Sequence, residues 1–158
     1  MATYEREVWV DAPLTDVWEF HSSVDGLVAL TPDWMGLEII SVTGPDGAPD
    51  PDVLETGSCI SMRMQPLGIG PQNSWTSEIT SRESHDDEAV FTDEMTDGPF
   101  RTWRHTHRFQ AIDGGTLITD HVEYELPLGP LSGLSGAVSV FFEPMFRYRH
   151  RRTRSILE

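Results

Sequence analysis

The sequence predicts an α+β domain in which a curved antiparallel β-sheet of six or seven strands wraps around a long C-terminal α-helix. Three observations carry this reading: one strand followed by two short helical stretches, an unbroken run of strand-and-turn patterning from Leu37 to about residue 127, and a single long closing helix. At 158 residues the chain has the size of one domain, spanning 1–158, that buries a core without disulfide or metal staples.

The elements follow in order. YEREVWVDA carries β-branched and aromatic residues and stops at Pro13, so it reads as the first strand. PLTDVWEFHS then shows helical spacing through Leu14, Val17, Trp18 and His21, and a second short helix runs from about Val24 to Leu30, ended by Thr31 and Pro32. After a strand beginning near Leu37, GPDGAPDPD at 44–52 is a solvated hairpin loop. Strands follow at about 57–67, 73–83, 88–97, 101–112 and 115–127, separated by GIGPQ, SHDDE, DGP and DGG. AVSVFFEPMFRYRHRRTRSILE closes the chain as a helix with an expected kink at Pro144. Its Val138, Phe141, Phe142, Met145 and Tyr148 form the stripe expected to face the sheet, and the arginines crowding its end suit the negative pole of the helix dipole.

Composition narrows the classes of partner. The chain carries 26 acidic and 11 basic residues, a formal net charge of −15, and every basic residue is arginine. Such a surface repels phosphate backbones and anionic membranes, which require cationic neutralisation, so nucleic acid is not an expected partner. MATYEREVWV has no basic segment followed by an apolar one, and no apolar run is long enough to cross a bilayer. Cys59 is the only cysteine, so no intrachain disulfide can form, and it is expected to be a small buried residue. A cytoplasmic protein without integral membrane association is the expectation.

The chemistry concentrates in TDEMTDGPFRTWRHTHRFQAIDGGTLITDHVEYELPLG. Side chains alternate along a strand, so Trp103, His105, His107 and Phe109 share one face, expected to be the inner one. On the strand that follows, Ile118, Asp120, Val122, Tyr124 and Leu126 share the apolar face; on the one before, Phe91, Asp93 and Met95 do. Each inner face therefore carries one aspartate among apolar residues.

Asp113-Gly114 is a two-residue type I′ hairpin signal pairing Ile112 with Gly115. Counting back places His107 opposite Asp120, Trp103 opposite Tyr124 and Phe109 opposite Ile118. A Gly114-Gly115 turn would slip the pairing by two residues and keep every face. A turn through Gly98, Pro99 and Phe100 would bring Asp93 opposite His105.

Two Asp/His pairs inside an aromatic pocket suit general acid/base work or a polar anchor for a ligand's carbonyl or hydroxyl. They serve equally as satisfied buried groups that pin the sheet register. His105-x-His107 with the aspartates is also a weak metal pattern, for which no third histidine maps to the site and which His21 would join only if its helix borders the pocket. The glycines of GPLSGLSG lack the spacing of a dinucleotide fingerprint, so no nucleotide cofactor is implied.

A small hydrophobic molecule is the expected partner. It would enter near the short helices and lie against Trp75, Met62, Met64, Trp103, Phe109, Tyr124, Phe141, Phe142 and Met145, with the flexible methionines adapting to its shape. The pocket is expected on the inner face of the last three strands, beneath the terminal helix.

DAPLTDVWEFHS, GPFRTWRHTHRF, GGTLITDHVEYELPLGPL and the closing FRYRHRR together resemble the START-like, polyketide-cyclase superfamily, also called SRPBCC, with the helix-grip fold of the birch pollen allergen. The resemblance spans nearly the whole chain. It implies a sheet gripping the terminal helix around an elongated cavity for lipids, polyketides, hormones or other hydrophobic molecules. Some members are cyclases or dehydratases that use polar cavity residues, and others only bind or carry ligands; the resemblance transfers no catalytic motif.

Acidic excess without lysine also resembles proteins of extreme halophiles, whose carboxylates repel one another until salt screens them. Stability measured by thermal unfolding is therefore expected to increase from low to molar NaCl, and a fall over that range would remove the halophilic reading.

Overall fold

The computed structural model describes residues 1–127 and 135–158, without the side chains of 135–139 and 141. Seven antiparallel strands form one sheet: β1 (Ala2–Val10), β2 (Glu38–Thr43), β3 (Cys59–Met64), β4 (Asn73–Ser84), β5 (Glu88–Thr96), β6 (Thr102–Ile112) and β7 (Gly115–Glu125). Helices α1 (Leu14–His21) and α2 (Val24–Ala29) follow β1, and α3 (Ser135–Leu157) closes the chain. The spatial order is β1-β7-β6-β5-β4-β3-β2, so every neighbour is also a sequence neighbour except β1, which returns to pair with β7.

Period-two alternation places the core. Buried and more exposed residues alternate along β1 and β7, and their inward sides stack Val10, Ile118, Val122 and Tyr124 under the helices. Register shifts between Ile39 and Ser41 in β2 and between Ile79 and Ser81 in β4 interrupt the ladders, and such irregularities bend and twist a sheet. The β6–β7 turn takes φ of +54° at Asp113 and +80° at Gly114, the geometry of a type I′ turn, and pairs Ile112 with Gly115. Half-buried Cys59 lies on β3, against the expectation of full burial, because its position alternates with the buried Ile60.

The terminal helix sits towards one edge of the sheet. Glu143 of α3 accepts a hydrogen bond from Tyr4 Oη at 2.5 Å and an ion pair from Arg6, both on β1. Phe142 and Phe146 pack on Tyr4, Tyr124 and Trp103. Pro144 lies inside the helix, where it cannot donate to the carbonyl four residues earlier.

Helix α1 packs through Val17 and Trp18 on Val10, Phe109 and Ile118, while Val24 and Leu27 of α2 reach Val42, Ile60, Met62 and Ile79 on the other half of the sheet. Ser23 caps α2 by accepting from Gly26 N at 3.1 Å. A Cβ at Gly26 would collide with the backbone carbonyl of Phe20, which cannot swing aside as a side chain does. Gly26→Ala should therefore destabilise the protein by about 1–3 kcal/mol, read as a lowered denaturant midpoint at unchanged slope. An unchanged midpoint would mean that the α1–α2 corner relaxes freely.

Candidate functional site

Register brings the polar residues of three strands together. Asp93 stands opposite His105 and Phe91 opposite His107 across β5–β6, while His107 stands opposite Asp120 across β6–β7. On the far side of β7, Arg6 is opposite Asp120. The shortest hydrogen bonds run diagonally rather than straight across. His105 Nε2 donates to Asp120 Oδ1 at 2.8 Å, and His107 Nε2 donates to Asp93 Oδ2 at 2.7 Å. The directly opposed contacts are longer, 3.3 Å for His107 Nδ1 to Asp120 Oδ1 and 3.9 Å for His105 Nδ1 to Asp93 Oδ2.

The two imidazoles, two residues apart on one strand face, stack with centroids 3.6 Å apart. Phe91 stacks on the outer face of His107 at 3.9 Å, and Phe146 meets His105 edge-on at 5.3 Å. Asp93 also accepts from Ser77 Oγ at 3.3 Å. His150 of α3 donates from Nε2 to the second oxygen of Asp120 at 2.5 Å, fastening helix to sheet.

Burial sets the protonation states. It works against charge on both aspartates, but hydrogen bonds from the histidines outweigh it and hold both carboxyls below the ordinary carboxylate range, Asp120 well below. Burial and the neighbouring His107 push the His105 pKa down. Burial opposes charge on His107 too, yet Asp120 and Asp93 prevail and raise its pKa. Burial lowers His21 to about 3; its Nδ1 donates to the Val17 carbonyl at 2.8 Å. The two neighbours are thus driven apart, His107 towards holding its proton and His105 towards losing it, with the Nε2–H of His105 given to Asp120.

A cavity of about 530 Å³ opens in front of this wall. It runs from Leu27 and Leu30 of the α2 region, past Ile60, Ile79 and Phe91 of the sheet, to Phe146 of α3, and it reaches the surface beside the exposed Trp34, Asn73 and Pro99. Trp75, Met62, Met64, Trp103, Phe142 and Met145 line it, together with Asp93, His105 and His107. Asp120 lies behind the two histidines, its side chain 4% exposed against 16% for Asp93.

Phe109 and Tyr124, both fully buried, are spent elsewhere: Phe109 under Trp18 and His21, Tyr124 against Phe100 and Phe142. The Phe141 and Val138 side chains and the stretch 128–134 lie outside the described residues. Of the last three strands β5 and β6 line the cavity together with α3, as expected, but it extends on to β3 and β4 and takes no lining residue from β7, where aromatic packing between α3, β1 and β7 fills the space.

Sequence reasoning missed Phe146, Arg149 and His150. Phe142, Phe146, His150 and Thr153 recur at spacings of four, four and three, a buried helical stripe hidden in the text by the arginines between its members. Arg149 belongs to the cavity lining, and its Nε is buried with no hydrogen-bond partner. His21 does border the cavity.

The buried neutral histidines imply a pH dependence. His21 binds its proton at about pH 6.5 in the unfolded chain and only near 3 when folded, so its contribution is complete above 6.5 and is lost as pH falls towards 3. The lowered His105 acts in the same direction, whereas the contribution of the raised His107 is lost as pH climbs through its folded pKa. Stability should drop between pH 6.5 and 4, and His21→Gln should shallow that limb by about one proton. Denaturant midpoints across a pH series measure it; an equal slope in the variant would refute the assignment.

Solved structures share the fold at low identity. The protein TTHA0849 from Thermus thermophilus superposes with a TM-score of 0.67 at 17% identity, covering 99% of this chain and 100% of its own. The truncated norcoclaurine synthase of Thalictrum flavum gives 0.65 at 17% identity over 99% of this chain and 94% of that one. Ara h 8.0201 gives 0.60 at 18% identity, with 98% of each chain covered. Among curated proteins none matches. The family model described as "Polyketide cyclase / dehydrase and lipid transport" matches residues 10–147, and the chain belongs to that family.

Proposed function

We propose that the protein binds a small hydrophobic molecule, a lipid, a polyketide or a similar metabolite, in the cavity between sheet and helices. The observation that carries this reading is the cavity itself: about 530 Å³ walled by Leu, Ile, Met, Trp and Phe side chains, with polar groups gathered on one wall. Pockets for small molecules have this composition, an apolar body for affinity and a few placed polar groups for orientation. Asp93, His105 and His107 would hold the ligand's polar end, and the half-used Arg149 guanidinium suits an anionic or carbonyl oxygen.

A second reading, cyclase- or dehydratase-like catalysis, draws on the unlike environments of the two histidines. His105, its pKa lowered and its Nε2–H held by Asp120, would present Nδ1 as a base; His107, its pKa raised between two carboxylates, would be the acid. Adjacent groups with pKa values driven apart are what proton transfer next to a carbonyl requires.

Native mass spectrometry of gently purified protein is expected to show a retained small molecule. Anilinonaphthalene sulfonate should bind and be displaced by it. Leu27→Trp, which fills the cavity from α2, should weaken dye binding by about tenfold or more, equivalent to about 1.4 kcal/mol. Dye binding that ignores Leu27→Trp would overturn the cavity assignment. Once the retained molecule is known, His105→Gln separates the readings: lost turnover with kept affinity marks a catalyst, and equal loss of both marks an anchor.

A further inference from the structure

Asp93, His105 and His107 each offer one ligand atom on the cavity wall, and these atoms all lie within 4.8 Å of one another. The arrangement of their hydrogen bonds is more specific than their proximity. His105 gives its Nε2–H to Asp120, which leaves Nδ1, the atom 3.9 Å from Asp93 Oδ2, as the ring nitrogen turned to the cavity-wall carboxylate. At 3.9 Å these two atoms are too far apart for a hydrogen bond and leave a gap between them. His107 meets the same two oxygens with its nitrogens exchanged: Nε2 is turned to Asp93 Oδ2 and Nδ1 to Asp120 Oδ1.

We propose that Asp93 Oδ2, His105 Nδ1 and His107 Nε2 form a binding site for a divalent first-row transition metal such as zinc, with Asp120 as the shared carboxylate behind both imidazoles. Metal-bound histidines characteristically give their remaining N–H to a carboxylate, which fixes the tautomer and makes the ring a stronger donor. Here Asp120 Oδ1 accepts from His105 Nε2 at 2.8 Å and lies 3.3 Å from His107 Nδ1, which makes no hydrogen bond until its N–H is turned to it. His150 holds the other oxygen at 2.5 Å, so the backing carboxylate is itself fixed from the helix.

Metal–ligand bonds of about 2.1 Å in a tetrahedral site put donor atoms about 3.4 Å apart. The present separations from Asp93 Oδ2, 2.7 Å to His107 and 3.9 Å to His105, straddle that value, so small side-chain rotations complete the site. The ion would take the place of the proton that His107 now shares with Asp93, and His107 Nδ1, buried without a hydrogen-bond partner, would then keep its N–H for Asp120. Charge favours the exchange: among the described residues neither aspartate has an arginine within ion-pair distance, so histidines are their only positive neighbours. Two imidazoles and one carboxylate leave coordination positions open, and these face the cavity because Asp93, His105 and His107 line it while Asp120 does not.

The site stands whether or not the cavity holds a hydrophobic ligand, and its test uses metal alone. Protein purified without a histidine tag and stripped by chelator would be titrated with Co2+ in molar NaCl, which screens the acidic surface. One equivalent should bind with the visible d–d absorption of nitrogen-ligated cobalt, and Zn2+ should displace it while excess Mg2+ or Ca2+ should not. Asp93→Asn and His107→Gln should abolish the absorption, and Asp120→Asn should weaken affinity about 10- to 100-fold. Displacement by Mg2+ or Ca2+, absence of the absorption, or unchanged affinity in Asp93→Asn would each overturn the proposal. If a variant does not fold, imidazole NMR of the wild type decides: Zn2+ must shift His105 and His107 and leave the exposed His85 unmoved. Failure here with dye binding intact would remove the metal and leave the ligand cavity standing.

Discussion

Asp120 is 3% exposed on the strand between β1 and β6, and nothing but protein can solvate its charge. Leaving a carboxylate so placed without partners would cost several kcal/mol. Its two oxygens accept from His105 at 2.8 Å and His150 at 2.5 Å, with His107 at 3.3 Å. The demand of one buried charge thus fixes three things at once: the tautomer of a cavity-wall histidine, the inclination of its stacked neighbour, and the seat of α3 on the sheet. Removing Asp120 would leave three imidazoles to find new partners in a closed space, a larger disturbance than the loss of one ion pair on the surface.

The second tie between helix and sheet is of another kind. Glu143 meets Arg6 and Tyr4 at a half-exposed position on β1. Burial is the leading reason that the Tyr4 hydroxyl is held protonated beyond its ordinary range, with the Glu143 carboxylate adding to it. This clamp and the His150–Asp120 bond lie about two helical turns apart along α3 and on neighbouring strands. Two polar ties at that separation set the helix direction, which apolar packing alone leaves loosely specified.

Much of this geometry was legible in the sequence because strands have a period of two. Alternation put Trp103, His105 and His107 on one face, and Asp113-Gly114 fixed the register that sets His107 opposite Asp120. Alternation says nothing about where a helix rests on the sheet, so it points to β5–β7 for a cavity whose walls run from β3 to β6. It gives positions and not rotamers, which is why the pairs were expected straight across while the hydrogen bonds run diagonally. His150 and Phe146 were legible in principle, at helical spacing from Phe142, but the arginines at 147, 149, 151, 152 and 154 interleave with them and mask the apolar period.

A cavity of this size needs a physical reason, since protein interiors are packed as densely as organic crystals. At about 24 cal/mol for each Å³ left empty, some 530 Å³ would cost on the order of 10 kcal/mol, comparable with the entire stability of a small domain. The space must therefore hold water or a guest, and the walls must be unable to fall in. Polar ties fix the position of α3 over β1 and β7 on one side, and on the other the close approach of Gly26 to Phe20 locks α2 to α1. Water against Leu, Ile, Met and Phe walls is poorly bonded, so an apolar guest displaces it at a gain. The same guest cannot satisfy Asp93, His105 and His107, which face the cavity as a row of polar atoms. A guest matched to these walls would be apolar along its body and polar, or accompanied by a cation, at the end that reaches Asp93, His105 and His107.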